Sequence, residues 1–155
     1  MNMQKLARIS FVFVALIMFY FSSQPGEESN YVSDSVAEMI SIKQDGSGMH
    51  ISVQSLLLGL NLRKMAHIGI FATLSVLAYL SQNFYRSTGK KALVSVFVSY
   101  SYACFDEIHQ TFVPERAGSF GDTLIDLMGV LLGLLFITVL WDIYLSKRFL
   151  RFYRI

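Results

Sequence analysis

The sequence is poor in cysteine, proline and charge. Its 155 residues include 1 Cys and 2 Pro, and only 15% are charged, against about 25% in an ordinary soluble domain. The single cysteine, Cys104, excludes an intrachain disulfide and any cysteine-based zinc or iron–sulfur site. The formal net charge of +2 is too small to indicate a protein that binds nucleic acid.

What the chain has in abundance is apolar surface. Hydrophobic residues make up 54% of the sequence, and the mean hydropathy is +0.48. A disordered chain would need the opposite composition, and a chain of this size cannot hide so much apolar surface from water by folding on itself. The length fits one domain. We therefore predict a single all-α integral membrane domain over residues 1–155.

Four apolar stretches are comparable to the ~20 residues that cross a bilayer; they cover 6–22, 66–84, 91–110 and 122–145. None shows the period-two alternation of a membrane barrel, so we predict a bundle of four transmembrane helices. The apolar run 51–60 is too short to span and is predicted to be a short external helical segment, either interfacial or re-entrant. The first stretch could instead be a cleaved signal peptide. Because no small-x-small cleavage site precedes Gln24, we expect it to be retained.

Basic residues in the short flanks predict the orientation. They lie before the first stretch, between the second and third, and after the fourth: Lys5, Arg8, Arg86, Lys90, Lys91, Lys147, Arg148, Arg151 and Arg154. Such flanks remain on the cytoplasmic side of a membrane. We therefore predict a multi-pass plasma-membrane protein with both termini in the cytoplasm and with 24–64 and 112–120 outside.

Polar side chains converge where the second, third and fourth stretches reach the external side. They are Lys64, His67, Asp106, Glu107, Gln110, Asp122 and Asp126. Because a helix rises 1.5 Å per residue, all of them fit in a layer about 6–10 Å deep. Ionisable groups at one membrane depth indicate a functional site, since their burial is costly. The alternative is an ion-pair network that only locks the helices together.

In the fourth stretch, two of these carboxylates share a helical face with two glycines. Asp122, Asp126, Gly129 and Gly133 share one helical face, and Gly-x-x-x-Gly permits close approach of another helix. We predict that this face packs against the second or third helix and that Asp126 forms the floor of the polar layer. In the short connection before it, Arg116 is expected to pair with Asp106, Glu107 or Asp122, because an unpaired charge at that depth is costly.

Three motifs resemble the VanZ-like family of bacterial membrane proteins. They are Lys64-x-x-His67, Asp106-Glu107-x-x-Gln110-x-Phe112-x-Pro114-x-Arg116, and Asp122-x-x-x-Asp126-x-x-Gly129-x-x-x-Gly133. The Phe-Ser-Ser-Gln run at 21–24 is similar to that family as well. Many members carry Tyr and Asn where this chain has Phe71 and Asp126. The family is named for a protein associated with low-level resistance to teicoplanin, so the resemblance implies a membrane fold in the cell envelope and leaves the reaction open.

Three functional hypotheses follow. In the first, a pocket in the outer leaflet binds or modifies a cell-envelope precursor or lipid headgroup through Lys64, Gln110, Arg116 and Asp126. In the second, the protein is an intramembrane enzyme. Its candidate acid–base residues are His67, Asp106, Glu107 and Asp122. The third is a purely structural bundle.

The expected partners are the lipid bilayer and a lipid-linked cell-wall precursor or phospholipid headgroup, with no nucleic acid. The preferred hypothesis needs no cofactor and no metal. A metal-dependent variant of the enzyme would hold a divalent cation with His67, Glu107 and Asp122.

Overall fold

The computed structural model describes residues 2–26, 62–82 and 87–152, with side chains described for 2–26, 64–82 and 87–140. Within these ranges the chain forms four α-helices and no strand. They are α1 Met3–Ser22, α2 Leu62–Leu80, α3 Thr88–Gln110 and α4 Phe120–Phe152. The all-α prediction is therefore confirmed for the described residues, whereas the predicted external segment 51–60 lies outside them.

Contacts at the two ends of the bundle show that sequential helices run antiparallel. At one end, Arg8 Nε donates to the Ser81 carbonyl oxygen at 3.1 Å, which joins the start of α1 to the end of α2. Gln82 Nε2 donates to the Lys91 carbonyl oxygen at 3.0 Å and joins the end of α2 to the start of α3. At the other end, Lys64 and Asp122 join the starts of α2 and α4. The helix ends that the sequence predicted to lie on the same side are therefore close together in the structure.

The closest helix pair is α2 with α4. These two helices share the most extensive contact in the described bundle. Gly129 lies against the backbone of Ile68, and Gly133 lies against Ala72 and Ser75, so closely that a Cβ atom at either glycine would collide. The prediction that the glycine stripe packs against a neighbouring helix is confirmed, and the neighbour is α2.

A small apolar core fills the space between the helices. Its buried members come from every described helix: Met18, Phe71, Leu74, Tyr79, Ala103, Val130 and Leu134. The helix α1 is tied to α3 by Tyr102, whose hydroxyl donates to the Ala15 carbonyl oxygen at 2.6 Å. The core thus holds α1 against the other three helices.

The outward faces are apolar, as expected for helices in lipid. Phe13 and Leu16 on α1 are each 62% exposed, and Leu135 and Phe136 on α4 are each 61% exposed. Two segments have the length and composition of a membrane span, Met3–Ser22 and Phe120–Leu140, with mean hydropathies of 1.7 and 2.4. The apolar part of α2, Lys64–Leu80, is shorter. In α3 the buried positions are mainly polar, because this helix turns serines and carboxylates toward the bundle interior.

Candidate functional site

The centre of the candidate site joins α2 to α3. His67 of α2 and the consecutive Asp106 and Glu107 of α3 each contribute a nitrogen or oxygen atom to a group whose members all lie within 4.8 Å of one another. Asp106 is 0% exposed and Glu107 is 5% exposed. Three of the predicted site residues therefore meet inside the described bundle.

Asp126 of α4 joins this group through the imidazole. His67 Nδ1 and Asp126 Oδ1 are 3.2 Å apart, and Asp126 is fully buried. The glycine stripe explains the meeting: Gly129 allows α4 to approach the Ile68 backbone, and Asp126 lies one turn before Gly129 on the same face. Asp126 thus holds one ring nitrogen of His67.

The two carboxylates of α3 are each fixed by a further hydrogen bond. Gln110 Nε2 donates to Asp106 Oδ2 at 2.7 Å from one turn along the same helix. The Ser119 backbone N–H donates to Glu107 Oε2 at 2.8 Å. Gly118 makes this approach possible, because a Cβ atom there would collide with the Glu107 carbonyl oxygen. Glu107 therefore also anchors the chain where α4 is about to begin.

Charge within this inner cluster, which we define as His67, Asp106, Glu107, Gln110 and Asp126, is mostly negative. Two of its buried oxygen atoms, Asp106 Oδ1 and Asp126 Oδ2, have no hydrogen-bond partner among the described residues. Leaving a carboxylate oxygen buried without a partner costs free energy, because the group loses its hydration and gains nothing in return. A proton, a cation or a ligand that donates hydrogen bonds would supply the partner that each of these oxygen atoms needs.

A second pair lies one turn nearer the end of the bundle. Lys64 Nζ and Asp122 Oδ1 are 3.0 Å apart, and their side chains are 40% and 32% exposed. Lys64 precedes His67 by three residues, and Asp122 precedes Asp126 by four. The α2–α4 contact thus carries two successive ionisable pairs, one partly exposed and one buried.

Arg116 contacts the end of α1. Its Nη2 donates to the Phe21 carbonyl oxygen at 3.1 Å, and the Gly26 N–H donates to the Pro114 carbonyl oxygen at 3.3 Å nearby. Among the described residues, ion pairs with Asp122 and Asp126 come from Lys64 and His67. Pairing of Arg116 with Asp106, Glu107 or Asp122 stays a prediction. The connection folds over the end of α1, where the last carbonyl groups of the helix accept hydrogen bonds from basic side chains.

A ring contact and an apolar groove on α3 do not involve the inner cluster. His109 of α3 packs its ring on Phe19 of α1, with the ring centroids 4.4 Å apart. An apolar groove on the outer side of α3 is lined by residues including Leu93, Phe97 and Cys104, and none of its lining residues is a predicted site residue. The one contributor that sequence reasoning missed is the Ser119 backbone N–H, and a backbone group leaves no signal in a sequence.

A model of the VanZ/LLP1 family matches residues 9–141 of the 155-residue chain. The chain belongs to the VanZ/LLP1 family. The matched range contains every predicted site residue, and it confirms the resemblance carried by the motifs. Neither the curated proteins nor the solved structures contain a match. Membership of the family and the two apolar helices together indicate a membrane protein.

Proposed function

We propose that this VanZ/LLP1 protein spans the plasma membrane four times, with both termini in the cytoplasm and the inner cluster near the external side. The antiparallel order of the described helices supports this arrangement. The excess of Lys and Arg on the flanks at the opposite end supports the orientation. Reporter fusions placed between residues 86 and 91 should read as cytoplasmic, and fusions between 115 and 119 as external. The reverse readings would overturn the orientation.

We propose further that the cluster binds or modifies the headgroup of a lipid-linked cell-envelope precursor or phospholipid. The observation that carries this proposal is that three buried carboxyl groups and one half-buried imidazole from three helices meet, with two carboxylate oxygen atoms that have no partner among the described residues. A bundle that needed only to hold together could use neutral side chains at lower cost. A link to teicoplanin resistance is part of the same proposal and rests on the family.

The contacts suggest a division of labour. Lys64 and Asp122 lie outside the inner cluster and are partly exposed, so they meet the headgroup first. The Lys64 ammonium group suits a phosphate or carboxylate. His67, Asp106 and Glu107 accept its hydroxyl or amine groups, or exchange protons with them. Gln110 and Asp126 hold the other residues in place, and Arg116 fixes the connection on α1. This assigns positioning roles to three residues expected to touch the substrate.

One observation favours an enzyme within the same site. Asp126 engages Nδ1 of His67, which orients the imidazole and leaves Nε2 as the nitrogen that can transfer a proton. Asp106 and Glu107 lie within reach of the same ring. This is the arrangement that general acid–base catalysis requires. Turnover of the bound lipid by the purified protein distinguishes this candidate from a pure binding protein.

Binding is tested on the purified full-length protein in lipid nanodiscs. The probes are a labelled lipid-linked cell-wall precursor and, in a separate arm, a labelled anionic phospholipid. Glu107→Gln should weaken binding of the recognised probe by about tenfold or more, because a neutral amide loses the charge while keeping the shape. Glu115→Gln, an exposed position in the same connection, is the matched control and should bind as the parent protein does.

Both variants must elute as folded protein and melt within a few degrees of the parent. Equal binding by the parent and Glu107→Gln contradicts the proposed function. The resistance link is tested by expressing the parent and Glu107→Gln proteins in a susceptible strain. Only the parent should raise the teicoplanin concentration that inhibits growth.

A further inference from the structure

The inner cluster has the dimensions of a metal site. One atom each from His67, Asp106 and Glu107 lies within 4.8 Å of the other two. Nitrogen and oxygen ligands bind zinc at 2.0–2.2 Å, so two ligands of one ion are at most about 4.4 Å apart. Side-chain movements of a few tenths of an ångström therefore bring all three atoms to coordinating distance, without a change in the helices.

Hydrogen bonds from neighbouring residues orient the side chains of His67 and Asp106, as they do in metal sites. A metal-binding histidine commonly uses its second ring nitrogen to contact a carboxylate, which fixes the orientation of the ring. Here Asp126 contacts Nδ1 at 3.2 Å, and Nε2 is left for the ion. Gln110 engages Oδ2 of Asp106 at 2.7 Å, and Oδ1 is left in the same way.

Two buried carboxylate oxygen atoms give an independent reason to expect a bound ion beside these residues. Asp106 is 0% exposed, and its Oδ1 has no hydrogen-bond partner among the described residues. The same holds for Oδ2 of Asp126. A divalent cation supplies both the partner and the positive charge that three buried carboxyl groups lack, and in such sites the ion is the largest local charge.

We propose that His67, Asp106 and Glu107 bind a divalent transition-metal ion, with zinc as the best match to one imidazole and two carboxylates. Asp126 and Gln110 are its positioning residues. The sequence alone favoured Asp122 over Asp106 as a ligand of such an ion, but Asp122 is engaged by Lys64. Three protein ligands leave a coordination position for water or for a headgroup oxygen. The inference deepens the proposed function and rests on it only for the assignment of this cluster as the functional site.

The test measures the ion directly and needs no lipid substrate. The full-length protein, purified in detergent and stripped with a chelator, is titrated with ZnCl₂ and, separately, with MnCl₂ by calorimetry. We expect one zinc ion per chain. Asp106→Asn should remove a ligand and abolish high-affinity binding, whereas Asp126→Asn should weaken binding by about 10–100-fold, as loss of a carboxylate behind a ligating histidine does. His109→Gln is the control, since His109 lies on the same helix against Phe19, and it should bind as the parent protein does.

A second measurement keeps the proposal falsifiable if a variant fails to fold. X-ray absorption at the zinc edge of the loaded parent protein should show one imidazole nitrogen together with oxygen ligands, all at about 2.0–2.1 Å. Absence of saturable binding overturns the metal site, and so does a sulfur ligand or an affinity that is unchanged in Asp106→Asn. In those cases protons neutralise the cluster. Headgroup binding that survives in the chelated protein would leave the proposed function intact while the metal site fails.

Discussion

The two ends of the bundle join their helices by different chemistry. Where the end of α2 meets the start of α3, side-chain hydrogen bonds join neutral groups, and we call this the neutral end. Gln82 Nε2 donates to Ser95 Oγ at 2.8 Å and to the Lys91 carbonyl oxygen at 3.0 Å, and Ser95 Oγ donates to the same carbonyl at 2.7 Å. Arg8 from α1 also donates to a neutral acceptor there, the Ser81 carbonyl oxygen. At the other end, carboxyl groups and an imidazole do the joining. Among the described residues, one amide oxygen, of Gln82, lacks a hydrogen-bond partner at the neutral end, against two carboxylate oxygens in the inner cluster.

This difference separates what the fold needs from what the site needs. Serine and glutamine are sufficient to connect two helices inside a bundle, and each such bond contributes about 1 kcal/mol. Buried carboxylates cost more to desolvate, and neutral replacements of similar shape are often as stable or more so. A chain that can build the neutral end has no structural reason to place three acids in the inner cluster. We interpret those acids as functional.

The largest effect on stability is expected at the glycine stripe that brings Asp126 to His67. Gly133→Ala should lower the free energy of unfolding by about 1–3 kcal/mol, because the added methyl collides with Ala72 and Ser75. Gly69→Ala is the matched control. It adds the same methyl to α2 where nothing lies within 4 Å, and it should raise stability by about 0.5–1 kcal/mol. Chemical denaturation in mild detergent measures both, and two stabilised variants would show that α2 and α4 are not in close contact.

A moderate effect is expected at the neutral end. Ser95→Ala removes the hydroxyl that bonds Gln82 and the Lys91 carbonyl oxygen, and it should cost about 1–2 kcal/mol of unfolding free energy. Headgroup binding in nanodiscs should be unchanged, because this residue lies at the opposite end from the cluster. If Ser95→Ala kept its stability but lost headgroup binding, the neutral end would also take part in binding, and the two ends would not differ in role.

The smallest structural effect is expected at the partly exposed pair. Lys64→Met should change the unfolding free energy by less than about 1 kcal/mol, since solvent screens an ion pair whose side chains are 40% and 32% exposed. Headgroup binding should nevertheless weaken severalfold, and more so at low salt. Lys90→Met, exposed at the other end, controls for the loss of one positive charge. Equal binding by the two variants would place Lys64 outside the site.

Sequence reasoning located the described helices and the face of α4 that packs on α2, because both follow from helical geometry. Apolar runs of sufficient length predicted α1 and α4, and the spacing of Asp126, Gly129 and Gly133 predicted the face that packs on α2. Composition alone, however, favoured four membrane spans, whereas within the described residues two segments, Met3–Ser22 and Phe120–Leu140, have the length and composition of a span. The polar interior face of α3 accounts for one of the differences.

Pairing within the site could not be predicted in the same way. Rise and rotation fix the level and direction of a side chain, but they do not fix the path of the connection between α3 and α4. That path carries Arg116 to the Phe21 carbonyl group and brings the Ser119 N–H to Glu107. The second contact depends on Gly118, where the backbone lies too close to the Glu107 carbonyl oxygen to admit a Cβ atom. The spacing of residues in the sequence does not indicate this contact.

The central claim is that the inner cluster serves function at the expense of stability, and Asp106→Asn tests it most directly. The asparagine keeps the shape and the bond from Gln110, while it removes a negative charge buried beside Glu107. Its unfolding free energy should be measured against the parent protein in detergent with a chelator present. We expect equal or higher stability of Asp106→Asn together with loss of headgroup binding. A loss of about 3–5 kcal/mol, the cost of breaking a buried structural charge network, would contradict it and make the cluster a scaffold.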